Sequence, residues 1–238
     1  MKTRSLHAFL ALVLVVGFAG LAAAQSSAID PTRFEGAIQA FEAEDRAAMP
    51  PKGAIVVTGS SSIRRWHPTL QQDLAPLTVL PRGFGGSTMQ DVEHFLDRIV
   101  LAYEPRAVAI YEGDNDTGLY GVPPEEIAGR LESIVERIHA ALPDTRVYVL
   151  SVKPSLAREA VWDQALEANV LYQNLAASND LVTYVDVATP LLGPDGRVMN
   201  DIFIDDGLHL NDKGNRIWAS SIKAALMPLE AQFESTND

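Results

Sequence analysis

Residues 54–66, AIVVTGSSSIRRW, decide the fold of this chain. Ile55, Val56 and Val57 make a short β-branched apolar run, the pattern of a strand covered on both faces of a sheet. Gly59 permits a sharp turn that a Cβ would hinder, and Ser60, Ser61 and Ser62 follow before a polar segment able to start a helix. A serine placed there stands at the carboxyl edge of a sheet, near helix N–H donors, where nucleophiles and ligands gather in open α/β folds. Taken alone, the stretch reads first as a serine-rich helix cap. What the other strand ends carry decides between the two.

Working outward, strands and helices alternate. Upstream, residues 31–49 place Phe34, Ile38 and Phe41 on one helical stripe, and Pro50-Pro51 stops it. Downstream, strands are expected over 77–80, 107–111, 146–152 and 182–187, and helices over 88–103, 123–142, 162–178 and 212–233. Five strands separated by helices predict an α/β fold, a parallel sheet with helices on both faces. Residues 189–206 carry Pro190, Gly193, Pro194 and Gly196 and read as a long surface loop.

The start of the chain reads as a targeting signal. Lys2 and Arg4 form a basic region, residues 8–21 an apolar run, and Ala22-Ala23-Ala24 before Gln25 a cleavage site. The apolar run is shorter than the ~18–20 residues of a spanning helix, so cleavage near Ala24-Gln25 is expected rather than a stable membrane anchor. Residues 25–50 then form a lead-in and helix, and residues 51–238 one domain. The absence of cysteine excludes a lipid-anchored lipoprotein, disulfides and a thiolate nucleophile. A periplasmic or secreted location follows from the signal alone. The net charge is −12, and −14 without Lys2 and Arg4, which argues against nucleic acid or an anionic membrane surface as partner.

Three strand ends carry polar clusters: 59–62 (GSSS), 82–87 (RGFGGS) and 112–116 (EGDND). A parallel sheet brings them to one edge. A fourth cluster, 205–211 (DDGLHLN), precedes the last helix. Its Asp206 and His209 are three apart, so one turn can bring carboxylate to imidazole. Such a pair fixes the ring tautomer while the other nitrogen takes a proton from a serine. His67 and His139 have no aspartate at that spacing, and His94, which has Asp91, falls inside an expected helix.

These blocks, in this order, resemble the SGNH, or GDSL-like, serine hydrolases, over residues 54–214. The usual Gly-Asp-Ser appears as Gly59-Ser60-Ser61, the block-two glycine as Gly86, Gly-x-Asn-Asp as 113–116, and Asp-x-x-His as 206–209. The resemblance implies a flavodoxin-like three-layer α/β/α sandwich with a five-stranded parallel sheet, and an esterase that uses no metal and no organic cofactor. It implies Ser61 as nucleophile, with Ser60 and Ser62 as rivals by composition. His209 would be the general base and acid, and Asp206 its orienter, with Asp205 a neighbour at the wrong spacing. The Ser61 N–H, the Gly86 N–H and the Asn115 side chain would form the oxyanion hole. Ser60 departs from the family's aspartate, which puts the stiffness of the nucleophile turn in question. Trp66 matches a recurrent family position and is expected to pack.

The function expected is an exported serine esterase acting on a small-molecule or glycan ester, with short acyl groups such as O-acetyl favoured because no apolar lid helix is visible. The alternatives are a catalytically silent carbohydrate- or lipid-binding protein on the same fold, and metal-assisted hydrolysis through His209, Asp116 and Asp205. Oligomeric state is not legible.

Overall fold

The computed structural model describes residues 29–234, so the expected signal segment, residues 1–24, lies outside the described residues. A 3₁₀ turn at Pro31–Phe34 leads into helix α1, Glu35–Ala47. The strands are β1 Ile55–Gly59, β2 Val79–Gly83, β3 Ala107–Tyr111, β4 Arg146–Leu150 and β5 Val182–Val185. The remaining helices are α2 Ser61–Asp73, α3 Met89–Ile99, α4 Asp114–Tyr120, α5 Pro124–Ala141, α6 Trp162–Ser178 and α7 Asp212–Glu230.

All five strands run parallel, in the order β2-β1-β3-β4-β5. This is the flavodoxin-like order, and the connection reverses direction between β1 and β3. A crevice opens outside the carboxyl ends of those two strands. β1 and β3 alternate their side chains between two cores. Val56, Val108 and Ile110 face the layer of α1, α3, α5 and α6. Ile55, Val57, Ala107, Ala109 and Tyr111 face α2 and α7. The three-layer α/β/α sandwich is therefore present, with strands buried on both faces as their apolar runs required.

Several details differ from the expectations, and β4 and β5 each end two residues early, at Leu150 and Val185. β2 lies at Val79–Gly83 rather than 77–80. It runs through Pro81 because it is an edge strand, where a missing N–H leaves no gap in the ladder. The helix expected over 88–103 ends at Ile99, and a 3₁₀ turn follows at Leu101–Tyr103. At the third strand end a short helix that was not expected, α4, starts at Asp114, and Asp116 Oδ2 accepts the Gly113 N–H at 3.0 Å. Residues 189–206 are not wholly a surface loop either. They contain two 3₁₀ turns and bury Leu191, Ile202 and Phe203 against the α7 side of the sheet.

Trp66 packs as expected. It is buried 6.2 Å from the Trp218 ring, and its Nε1 donates to Asp73 at 2.7 Å. On the other layer, Arg82 of β2 donates to Asp45 of α1 and, at 2.8 Å, to the Tyr103 hydroxyl. That anchor fixes α1, and with it the 3₁₀ turn that carries Phe34.

Candidate active site

Gly59 ends β1 with φ +140°, and a Cβ there would lie 2.2 Å from the Tyr111 carbonyl oxygen. Only glycine lets β1 and β3 stay paired while the chain turns. Helix α2 begins at Ser61, within the three serines rather than after them. The N-cap, Ser60, is buried, and its side chain caps no helix N–H. The first-turn N–H groups of α2 have no intrahelical partners. The Ser60 side chain leaves them available to a ligand.

Ser61 Oγ lies 2.8 Å from His209 Nε2, and His209 Nδ1 lies 2.6 Å from Asp206 Oδ2. Asp206 Oδ1 also accepts the backbone N–H groups of Leu208 and His209, each at 2.9 Å. Partial desolvation works against its charge. The His209 ring and the two N–H donors outweigh it and hold the carboxyl well below the usual carboxylate range. An ionised Asp206 keeps the proton of His209 on Nδ1, which leaves the Nε2 lone pair to accept from Ser61. Of the three serines, Ser61 is the one that meets this histidine, and of the two aspartates, Asp206 does.

Gly86 and Asn115 flank the same corner. A Cβ on Gly85 would sit 3.8 Å from that of Ser61, so the RGFGGS turn lies against the nucleophile. Gly86 has φ +89°, which glycine tolerates, and its N–H makes no hydrogen bond within the described residues. Asn115 is buried, and one N–H of its side chain donates to the Ser87 carbonyl at 2.9 Å, leaving the second free. The structure thus gathers at one sheet edge every residue that the sequence singled out for the site. Such an arrangement can deliver a hydroxyl to an acyl carbon and receive the resulting oxyanion.

Beneath this corner lie two buried acids, Glu112 and the Asp116 considered as a metal ligand. Glu112 accepts from the Ser87 hydroxyl, and its second oxygen has no protein partner. Burial, reinforced by the charge of Asp116, pushes the Glu112 carboxyl well above its ordinary value. Asp116 accepts from the Met89 and Gly113 N–H groups, both at 3.0 Å, yet burial still raises it to about 7. Both its oxygens are engaged in tying α3 and α4 together, which leaves it poorly placed as a metal ligand. No cluster of three or more His, Cys, Asp or Glu side chains able to hold a metal ion occurs among the described residues.

Three other residues at this edge were not assigned to the site from the sequence. Phe34 lies beside Gly86, 3.7 Å from where a Cβ would stand, and packs edge-on against Phe84 at 5.1 Å. Lys153 is fully buried, and Arg158 approaches Gly118. The signal for Lys153 was available: it is a lysine two residues before Ser155, just past the apolar β4, at a fourth strand end.

Comparison with known proteins agrees with this fold. A family model for GDSL-like Lipase/Acylhydrolase matches residues 47–217. Platelet-activating factor acetylhydrolase IB subunit alpha1 of Homo sapiens is 25% identical over 183 residues, 75% of this chain and 77% of that protein. An isoamyl acetate-hydrolyzing esterase 1 homolog, also of Homo sapiens, is 30% identical over 169 residues, 60% of this chain and 66% of the relative. The solved structure of a GDSL-like lipase from Bacteroides thetaiotaomicron superposes with a TM-score of 0.68 at 21% identity, covering 80% of this chain and 97% of the other.

Proposed function

Because the chain belongs to the GDSL-like lipase/acylhydrolase family, we propose that it is a serine esterase working through an acyl-enzyme on Ser61. The observation that carries this reading is the 2.8 Å contact between Ser61 Oγ and a His209 whose other nitrogen is held by Asp206. In the first half-reaction, His209 Nε2 takes the Ser61 proton as Oγ attacks the ester carbonyl. The N–H groups of Ser61 and Gly86 and the free N–H of Asn115 receive the negative oxygen. His209 then gives the proton to the departing alcohol. Water repeats the sequence on the acyl-enzyme and releases the carboxylic acid.

Short acyl groups are the preferred substrates in this proposal. Phe34 stands over Gly86 on the side of the oxyanion pocket, and Arg33, which stacks on its ring at 4.4 Å, is tied to Asp91 at 2.6 Å. A wall held from both sides suits an acetyl group better than a long chain. The names of the two human relatives, an acetylhydrolase and an acetate-hydrolysing esterase, point the same way. Export to the periplasm or beyond is also proposed, on the pattern of residues 1–24. It predicts that the protein recovered from a secreting bacterium begins at Gln25, which N-terminal sequencing reads directly.

The test of the serine mechanism is hydrolysis of p-nitrophenyl acetate by the mature protein. Ser61→Ala and His209→Ala are each expected to lower kcat by more than about 1,000-fold with the melting temperature unchanged. Full activity in either variant would sink the mechanism. Labelling by a fluorophosphonate, abolished in Ser61→Ala, separates an enzyme from a silent binding protein.

A further inference from the structure

Lys153 follows β4, in the run Ser151-Val152-Lys153-Pro154, and none of its side chain is exposed. Burial disfavours its charge, an effect that Asp114 opposes. Two groups hold the ammonium. Nζ donates to the Leu208 carbonyl at 2.8 Å and lies 3.5 Å from Asp114 Oδ2. Both partners are informative. Leu208 sits between Asp206 and His209 in the turn that carries the base. Asp114 immediately precedes Asn115, the side-chain donor of the oxyanion pocket. One buried cation therefore touches both halves of the site.

The rest of the cluster braces the same joint. Arg158 Nε lies 3.6 Å from Asp114 Oδ1, and its guanidinium donates to the Gly118 carbonyl at 2.6 Å. The Tyr111 hydroxyl reaches Asp114 at 3.4 Å. The Ala157 N–H donates to the Gly207 carbonyl at 3.0 Å. Every contact joins the 206–209 turn, α4, or the segment after β4.

We propose that Lys153 is a positioning residue: it sets the distance between the His209–Asp206 turn and the Asn115 segment, so that base and oxyanion donors bear on one reacting atom. Stability explains the lysine poorly. Desolvating an ammonium is costly, and apolar side chains of similar volume often serve a core as well or better. A lysine also suits the geometry, because it presents a compact point donor that one carbonyl and one carboxylate can share. Without it the Leu208 carbonyl loses its donor and the turn loses its tie to α4. A displacement of about 1 Å in a catalytic group can cost on the order of 100-fold in rate.

The role assigned to Lys153 rests on the serine mechanism above, and the experiment keeps the two apart. Lys153→Met, Asp114→Asn and the double variant are compared with wild type. Active sites are counted by fluorophosphonate stoichiometry, and the His209 Nδ1 proton is followed by NMR at low field. In Lys153→Met, kcat per active site is expected to fall roughly 10- to 100-fold with KM changed less than about threefold. The His209 signal is expected to broaden or move. Asp114→Asn, which keeps the bond from Lys153 to Leu208, is expected to retain that signal. Should Lys153→Met fail to fold for want of a partner for Asp114, the double variant removes both charges and is read against Asp114→Asn. A kcat per site at least about tenfold lower, with the His209 signal altered, upholds the role. A kcat within twofold and an unchanged signal overturn it. No labelling of wild type would instead break the serine mechanism itself.

Discussion

The two edges of the sheet both bury charge, and they treat it in opposite ways. At the amino edge, Glu230 is fully buried and accepts from Arg106 at 3.1 Å, Arg146 at 2.6 and 3.0 Å, and the Tyr148 hydroxyl at 2.8 Å. Phe233 stacks against both guanidinium groups. Every charge there has its counter-charge in contact. At the carboxyl edge, Asp91 Oδ1, Glu112 Oε2, Ser155 Oγ and Arg158 Nε are buried without a hydrogen-bond partner among the described residues. A groove of about 350 Å³ does open at the amino edge, yet its lining includes no serine, histidine or cysteine. Saturated charge closes the sheet at one end. Under-satisfied charge at the other end surrounds groups that must respond to a substrate. Polar groups left short of partners concentrate where strain and function are tolerated together.

The largest expected effect that tests this contrast is at Asn115. Replacing it by alanine removes one donor aimed at the oxyanion and is expected to lower kcat roughly 100- to 1,000-fold, and it costs about 1–3 kcal/mol of stability because the buried Ser87 carbonyl loses its donor. The amino edge should behave in reverse. Glu230→Ala strands the Arg146 guanidinium and the Tyr148 hydroxyl, while Arg106 keeps Glu234 and the Gly53 carbonyl, and is expected to cost about 3 kcal/mol in denaturant unfolding. This is the low end for a broken buried pair, because both arginines keep some contact with solvent. Its kcat per folded molecule should be unchanged. A Glu230→Ala enzyme that stays stable but turns over slowly would erase the distinction between the two edges.

Most of this contrast was legible on one side only. β3 and α6 fall where the sequence placed them, because a five-residue apolar run and a seventeen-residue helix carry strong local signals. The blocks around Ser61, Gly86, Asn115 and His209 were legible because a parallel sheet must bring its carboxyl ends together. What escaped was short or tertiary. Helix α4 has seven residues, too few to show an apolar period. The burial of Phe203 and Ile202 depends on packing against the α7 side of the sheet, which no local pattern announces. Lys153 escaped because its burial depends on the 206–209 turn and α4 closing over it, which no local pattern announces. Phe34 was read as core stripe alone, since nothing in its neighbourhood tells that the first turn reaches Gly86.

That position of Phe34 supplies a smaller test. Phe34→Ala is expected to raise the preference for hexanoyl over acetyl esters about tenfold in kcat/KM, the scale on which pocket volume discriminates. Activity on acetyl esters should persist, since Phe34 donates nothing to the reacting atoms. An unchanged chain-length profile would place the acyl wall elsewhere on the carboxyl edge.

The smallest effect is a slope rather than a loss. Asp116 is ordinary at 3.8 but is pushed up to about 7 by burial, against the Met89 and Gly113 N–H groups that favour its charge. Between those two values the folded chain holds a proton that the unfolded chain has released. Stability from this group therefore falls as pH rises from about 4 to about 7, and is level above that. Asp206 acts with the opposite sign: its carboxyl is lowered, so its contribution is present above 3.8 and is lost only on stronger acidification. Asp116→Asn cannot ionise, so its melting temperature should fall less steeply than that of wild type between pH 4.5 and 7. The variant should also be less stable at pH 4.5, because asparagine has one acceptor oxygen for two N–H donors. Parallel slopes in the two proteins would mean that Asp116 is charged throughout. The acid beneath the oxyanion pocket would then be satisfied after all, as it is at the amino edge.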